Sequence, residues 1–153
     1  MNEPNVILYE KKDNQQTASE LFLLADEAYP QGSPWTEEQF MNDLSAEHSR
    51  YLLLQIEQQI AGFIGYQQVL DEVEISNFAV ASSQQKNGYG GKILKGLFQQ
   101  VSETAAVIFL EVRVSNHSAQ NLYLANGFEV IGRRKNYYSA PTEDALIMRK
   151  KVR

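Results

Sequence analysis

Apolar residues alternate with polar ones along some stretches of the chain and recur every three or four positions along others. The switches between these periods divide it into elements. "NVILYEK" (5–11) alternates enough for a short strand. From Gln15 to Tyr29, Leu21, Leu24, Ala25 and Ala28 fall on one helical face, and Pro30, Gly32 and Pro34 in "YPQGSPW" then break it. Thr36, with Gln39 three positions on, makes a capping box for a second helix reaching about Glu47. "RYLLLQIEQQIAGFIGYQQVL" (50–70) divides into two strands joined near Gln58-Gln59, and "EVEISNFAV" (72–80) is a third, a meander.

Ile93, Leu94, Leu97, Phe98 and Val101 restore the helical spacing, and "AVIFLEVRV" (106–114) is apolar enough for a strand buried on both faces. "SAQNLYLANGF" predicts a helix stopped by Asn126-Gly127, and "FEVIGRR" (128–134) and "DALIMRKK" (144–151) predict two closing strands. The order is strand, two helices, three strands, helix, strand, helix, two strands. It predicts one α/β (α+β) domain over residues 1–153, with a mixed, mostly antiparallel sheet of about seven strands and about four flanking helices.

Composition narrows the function. A chain of 153 residues, 43% hydrophobic, fits one domain with a real core. No apolar run reaches the roughly 18 residues of a membrane span, and "MNEPNVILYEKKDN" lacks a signal peptide's basic-then-apolar pattern. A soluble cytoplasmic protein without a membrane partner is expected. The chain has no cysteine, which excludes disulfides, thiolate metal ligands and cysteine nucleophiles. His48 and His117 lack ligand spacing or a carboxylate cluster, so no metal is expected. A net charge of −5 argues against non-specific nucleic-acid binding and suits a cationic partner.

The stretch "SSQQKNGYGGKIL" (82–94) crowds three glycines where a helix begins, with Lys86 and Lys92 on either side. A P-loop needs G-x-x-x-x-G-K-[ST], but Ile93 follows Gly91-Lys92 and Lys86 stands where the first glycine belongs. A dinucleotide fingerprint needs a third glycine where Ile93 stands. What remains is Q-x-x-G-x-G, formed by Gln85, Gly88 and Gly90. Glycines let several amides face one concavity at a helix N-terminus, which suits a pyrophosphate. A plain strand-to-helix turn with solvated lysines is the alternative.

Together with its surroundings, this loop resembles the acyl-CoA site of the GNAT N-acetyltransferase superfamily, from about residue 50 onward and less clearly over 34–40. A closer likeness is to the ribosomal-protein alanine N-acetyltransferase family, through "PWTEEQF", "NFAV", "QQKNGYGGKIL", "LEVRVSN", "NLYLANGF" and "RRKNYY" followed by "EDALIMRK". The resemblance implies acetyl-CoA as co-substrate. The backbone of Phe78, Ala79 and Val80 would pair with its pantetheine arm, Val80 N–H facing the thioester carbonyl. Gln85, Lys86, Asn87, Gly88, Tyr89, Gly90 and Gly91 would wrap the pyrophosphate, and Asn116 would hydrogen-bond the cofactor. Gly91 departs from relatives that carry a basic residue there.

The same resemblance makes Glu111 the general base, acting directly or through a water, and Tyr123 the acid facing the departing thiolate. Glu74 is the rival base. Trp35, Tyr137 and Tyr138 are candidate walls of the acceptor groove, in a sheet splayed at the strands ending near Val80 and Val114. An α-amino group, with a pKa of about 8, is mostly ammonium near neutrality and needs such a base. Without a thiol, direct transfer in a ternary complex is the simplest scheme. The acceptor that the resemblance implies is a protein N-terminal α-amino group, with a ribosomal protein first in line. A small-amine acetyltransferase (polyamine, aminoglycoside or amino acid) and a non-catalytic acyl-CoA-binding module remain alternatives.

Overall fold

Three consecutive leucines, Leu52 to Leu54, leave their strand no polar face, and the architecture gives each face a partner. A computed structural model describes residues 3–85 and 87–153. The elements are β1 (Asn5–Leu8), α1 (Asn14–Ala28), α2 (Glu37–Ser45), β2 (Ser49–Ile56), β3 (Gln59–Val69) and β4 (Glu72–Val80). After a 3-10 turn at Ser82–Gln84 come α3 (Tyr89–Val101), β5 (Val107–Arg113), α4 (His117–Ala125), β6 (Glu129–Tyr138) and β7 (Glu143–Lys151). The strands form one sheet in the order β1-β2-β3-β4-β5-β7-β6. Leu52 and Leu54 pack with Ile93, Leu94, Leu97, Ile108 and Leu110 on the α3 side. Tyr51 and Leu53 turn to Leu21, Ala25, Phe40 and Leu44 on the α1–α2 side. Each fully buried side chain of this size contributes about 1.5–3 kcal/mol.

Local chemistry places the ends. Both halves of the expected capping box form, Gln39 N donating to Thr36 Oγ1 (3.1 Å) and Thr36 N to Gln39 Oε1 (2.8 Å). Glu57 and Gln58 both take positive φ, +54° and +68°, in the two-residue turn between β2 and β3, the hand that matches strand twist. Gly127, at φ +94°, ends α4 as its sequence predicts. β1 is shorter than "NVILYEK" suggests, because the chain turns at Lys11, whose φ is +60°, before Asp13 caps α1 by accepting from Gln16 N (3.4 Å). β6 runs on to Tyr138, past the expected end at Arg134; as the outer strand it lies largely in water, so its polar residues carry no core pattern.

The decisive feature lies mid-sheet. All neighbours are antiparallel except β4 and β5, whose parallel ladder has three pairs, Glu72↔Val107, Val73↔Ile108 and Glu74↔Phe109. Beyond them β4 stays with β3, while β5 follows β7 to Arg113↔Ala145. The sheet therefore splays, and the parting starts earlier than the strand ends named above. On β4 the register slips, from Tyr66↔Ile75 to Gly65↔Asn77, so Ser76 is an extra residue in a bulge.

Candidate active site

An antiparallel ladder alternates residues that bond to the neighbour with residues that turn the other way. Ala81 N donates to Ala61 O on the β3 side (2.8 Å), so Phe78 and Val80 direct their backbone groups into the splay. Their carbonyls already have donors: Tyr29 Oη donates to Phe78 O (2.5 Å) and Gln85 Nε2 to Val80 O (3.1 Å). The Phe78 and Val80 amides remain aimed at the gap.

Helix α3 begins beside it. Its N-cap is Gly88, at φ +77°, with no side chain capping the first turn, so the opening amides have no partner within the helix. At Gly90 a Cβ would come within 2.9 Å of Leu122 Cδ2, because α4 packs closely there, whereas at Gly88 and Gly91 it would meet nothing within 4 Å. The bare side opens on a groove of about 760 Å3 bordered by Gly88, Gly91, Lys92, Lys95 and Gln99. Asn87 Nδ2 donates to Gln84 Oε1 (3.4 Å), and Tyr89 packs partly into the core. Lys86 lies outside the described residues. Asn116 caps α4, its Oδ1 accepting from Ala119 N (3.1 Å).

Tyr123 and Glu111 approach the gap from opposite faces of the sheet. Tyr123 is buried on the α3 side, its ring 6.1 Å from Phe78 and 5.5 Å from Phe128. Burial, followed by the nearby Tyr29 and Tyr138, raises its pKa, so the phenol keeps its proton. Leu110 and Val112 face α3, so Glu111 between them faces α1 and α2. Its side chain is 19% exposed. Arg134 Nε stands 3.2 Å from Glu111 Oε2, off the line of a hydrogen bond, and that buried oxygen has no hydrogen-bond partner among the described residues.

Tyr137 and Tyr138 stand over Glu111, 5.0 Å apart and edge to face. Burial, then the Glu111 charge, pushes Tyr138 up to about 12, and the same causes raise Tyr137. Arg113 lies 4.4 Å above the Tyr138 ring and pairs with Glu143 Oε1 (3.1 Å). Glu143 Oε2 accepts from Ser115 N (2.7 Å), which clamps the β6–β7 hairpin over the end of β5. Trp35 packs on Phe40, at 5.3 Å, and borders a groove along α2 with Gln39, Asn42 and Asp43. Glu74 is exposed on the Glu111 face, two residues before the level of the bulge. Tyr29 is a site residue that the sequence did not single out; burial pushes its hydroxyl up to about 12. Its only sequence signal is an aromatic at the end of the apolar face of α1.

Residues 14–128 match the model of the Acetyltransferase (GNAT) family. The chain belongs to the GNAT acetyltransferase family. It is 38% identical over 120 residues to the [ribosomal protein bS18]-alanine N-acetyltransferase of Escherichia coli (strain K12), covering 75% of this chain and 79% of that one. The crystal structure of the ribosomal-protein-S18-alanine N-acetyltransferase from Escherichia coli matches with a TM-score of 0.86 at 29% identity, over 98% of this chain and 94% of that one. A GNAT family acetyltransferase from Elizabethkingia anophelis with acetyl-CoA bound shares the fold, at TM-score 0.78 and 19% identity over 97% of both chains.

GNAT enzymes use acetyl-CoA, and the residues present fit it. The uncapped α3 start and the bare flanks of Gly88 and Gly91 leave room and donors for a pyrophosphate, with Lys92 and Lys95 as countercharges. The Phe78 and Val80 amides would give an extended pantetheine arm a strand edge to lie along. Among the described residues no helix is long and apolar enough to cross a membrane, and no three His, Cys, Asp or Glu gather as metal ligands.

Proposed function

We propose that this GNAT enzyme acetylates the N-terminal α-amino group of a ribosomal protein, with bS18 the first candidate, by direct transfer in a ternary complex. The observation that carries this reading is the splay beyond Glu74 and Phe109. Glu111 reaches it from one face and Tyr123 from the other.

Acetyl-CoA supplies an acyl group on a sulfur leaving group. Val80 N–H donates to the thioester oxygen as it turns negative under attack by the amine nitrogen. Glu111 takes the proton that the ammonium must lose. As the new C–N bond replaces the C–S bond, the Tyr123 hydroxyl donates to the sulfur. The raised pKa of this phenol makes full proton transfer to a thiolate, whose acid has a pKa of about 8.5, uphill, so its contribution is a neutral hydrogen bond. Lys86 to Gly91 and Asn116 hold the rest of the cofactor. Glu111 is preferred over Glu74 because its carboxylate is enclosed, next to Tyr137 and Tyr138, whereas Glu74 lies in water. Tyr137, Tyr138 and Tyr29 wall the acceptor side.

The test gives purified protein acetyl-CoA and a panel of N-terminal peptides beside polyamines, aminoglycosides and amino acids. An acetyl-group mass gain on the α-amine of a bS18 peptide is expected, with Glu111→Gln lowering kcat about 10²–10⁴-fold while acetyl-CoA still binds. Release of CoA with small amines alone would end the ribosomal assignment. Binding without any turnover would leave a non-catalytic module.

A further inference from the structure

Five buried side-chain atoms have no hydrogen-bond partner among the described residues: Ser76 Oγ, Asn77 Nδ2, Asn77 Oδ1, Glu111 Oε2 and Arg149 Nε. Four of them belong to three residues at the point where β4 and β5 part. Leaving a buried polar group unpaired costs about 1–3 kcal/mol, and one such group is an isolated defect. Three of the four are neutral atoms with no partner, and Glu111 Oε2 has only the Arg134 guanidinium, 3.2 Å away and off the line of a hydrogen bond; converging from two strands, they describe a site that binds something polar.

The bulge explains the convergence. Ile75 and Phe78 both pack on the α3 side, and side chains alternate along a strand. Ser76, next to Ile75, and Asn77, next to Phe78, therefore both turn to the other face. A regular strand places one residue between two inward neighbours, and the extra residue places two. Glu111 lies on that same face. Counting two residues on from the last ladder pair, Glu74↔Phe109, brings Ser76 level with Glu111. The β4 bulge thus sets a hydroxyl and a carboxamide side by side across the gap from the carboxylate. Asn77 is only 5% exposed, so bulk water does not satisfy it.

The family resemblance already allows Glu111 to act through a water; we infer that Asn77, with Ser76, is the positioning residue that holds that water against Glu111 Oε2, where it relays the acceptor's proton. The assignment rests on Glu111 serving as the base. A water has two donors and two acceptor sites, and a buried one typically makes about three hydrogen bonds. Here it accepts from Asn77 Nδ2, donates to Glu111 Oε2 and exchanges a bond with Ser76 Oγ. In the relay the ammonium N–H bond breaks as an O–H bond forms on the water. One O–H bond of that water breaks as an O–H bond forms on Glu111. Asn77 touches neither reactant and acts only by fixing the relay.

The site makes an unusual pair of demands on Asn77→Ala. Among the described residues the side chain has no hydrogen bond to lose, so thermal stability stays level or rises. With the relay adrift, kcat falls about 10²-fold, as a misplacement of about 1 Å can cause, while KM for acetyl-CoA is unchanged. Asn77→Ser, which keeps a hydroxyl, recovers part of the loss. A crystal structure of the wild type at a resolution that shows waters carries density within hydrogen-bond distance of both Asn77 and Glu111, and Asn77→Ala loses it. Wild-type crystals with no water there overturn the inference, as does Asn77→Ala turning over like the wild type. In the latter case the enzyme assignment stands. A wild type that transfers no acetyl group to any acceptor fails differently: it removes the assignment itself, and the relay with it.

Discussion

Tyr29 reads in the sequence as the last turn of an amphipathic helix, yet its hydroxyl crosses 49 residues of chain to reach the Phe78 carbonyl. That bond occupies one cleft-facing acceptor on β4 and holds the strand edge whose amides face the splay. Tyr29→Phe leaves the carbonyl without its partner, a loss of about 1–3 kcal/mol. The expected result is a lower midpoint in chemical denaturation together with a raised KM for acetyl-CoA. An unchanged KM would make the tyrosine purely structural. That Glu111 and Tyr123 would come to the splay was legible beforehand because they sit inside recognisable blocks, "LEVRVSN" and "NLYLANGF". Tyr29 and Asn77 were not, because their roles come from contacts that only the folded sheet creates, and a tyrosine or an asparagine in an apolar run is ordinary core vocabulary.

Elements were more legible than single contacts wherever local chemistry fixes them. The Thr36–Gln39 box, the Asn126-Gly127 stop and the glycine-led start of α3 all depend on neighbours within a few residues, and all stand as read. The reach of β6 and the place where β4 leaves β5 depend on partners far along the chain, and there the sequence fell short. The start of α3 offers a test in which two effects oppose. Gly91 sits in the first turn with open space around its Cα. An acidic residue there complements the helix dipole by about 0.3–1 kcal/mol, so Gly91→Asp should hold or raise the melting temperature. The same charge repels a diphosphate at those amides. KM for acetyl-CoA should rise about tenfold or more, which is about 1.4 kcal/mol of binding. A variant that gained stability and kept its affinity would show that the pyrophosphate lies elsewhere.

Across the whole molecule, the part of the sheet beyond the splay is tied together by charge. Glu129 meets Arg149 at 2.9 Å, Asp144 meets Arg133 at 2.7 Å, and Glu143 holds Arg113 at 3.1 Å as well as the Ser115 amide. In each of the first two pairs one partner is well exposed, Glu129 at 60% and Arg133 at 59%, so the pair is screened. Glu143 and Arg113 are 17% and 21% exposed, so theirs is the pair that should register in stability. The Ser115 hydrogen bonds, then Arg113, hold the Glu143 carboxyl below its usual 4.5. A carboxyl depressed in the folded state binds its proton more readily once unfolded. Its contribution is therefore complete above pH 4.5 and is lost as pH falls toward the lower folded value. The hairpin it clamps carries Tyr137 and Tyr138 over Glu111, so acid should loosen the acceptor wall along with the fold. A melting temperature followed from pH 7 to pH 3 is expected to drop below about pH 5. Glu143→Gln should melt lower at neutrality, with a shallower acid slope because one linked proton is gone. If the variant fell with the same slope as the wild type, the linkage would belong to other carboxylates, and the clamp would be geometric only.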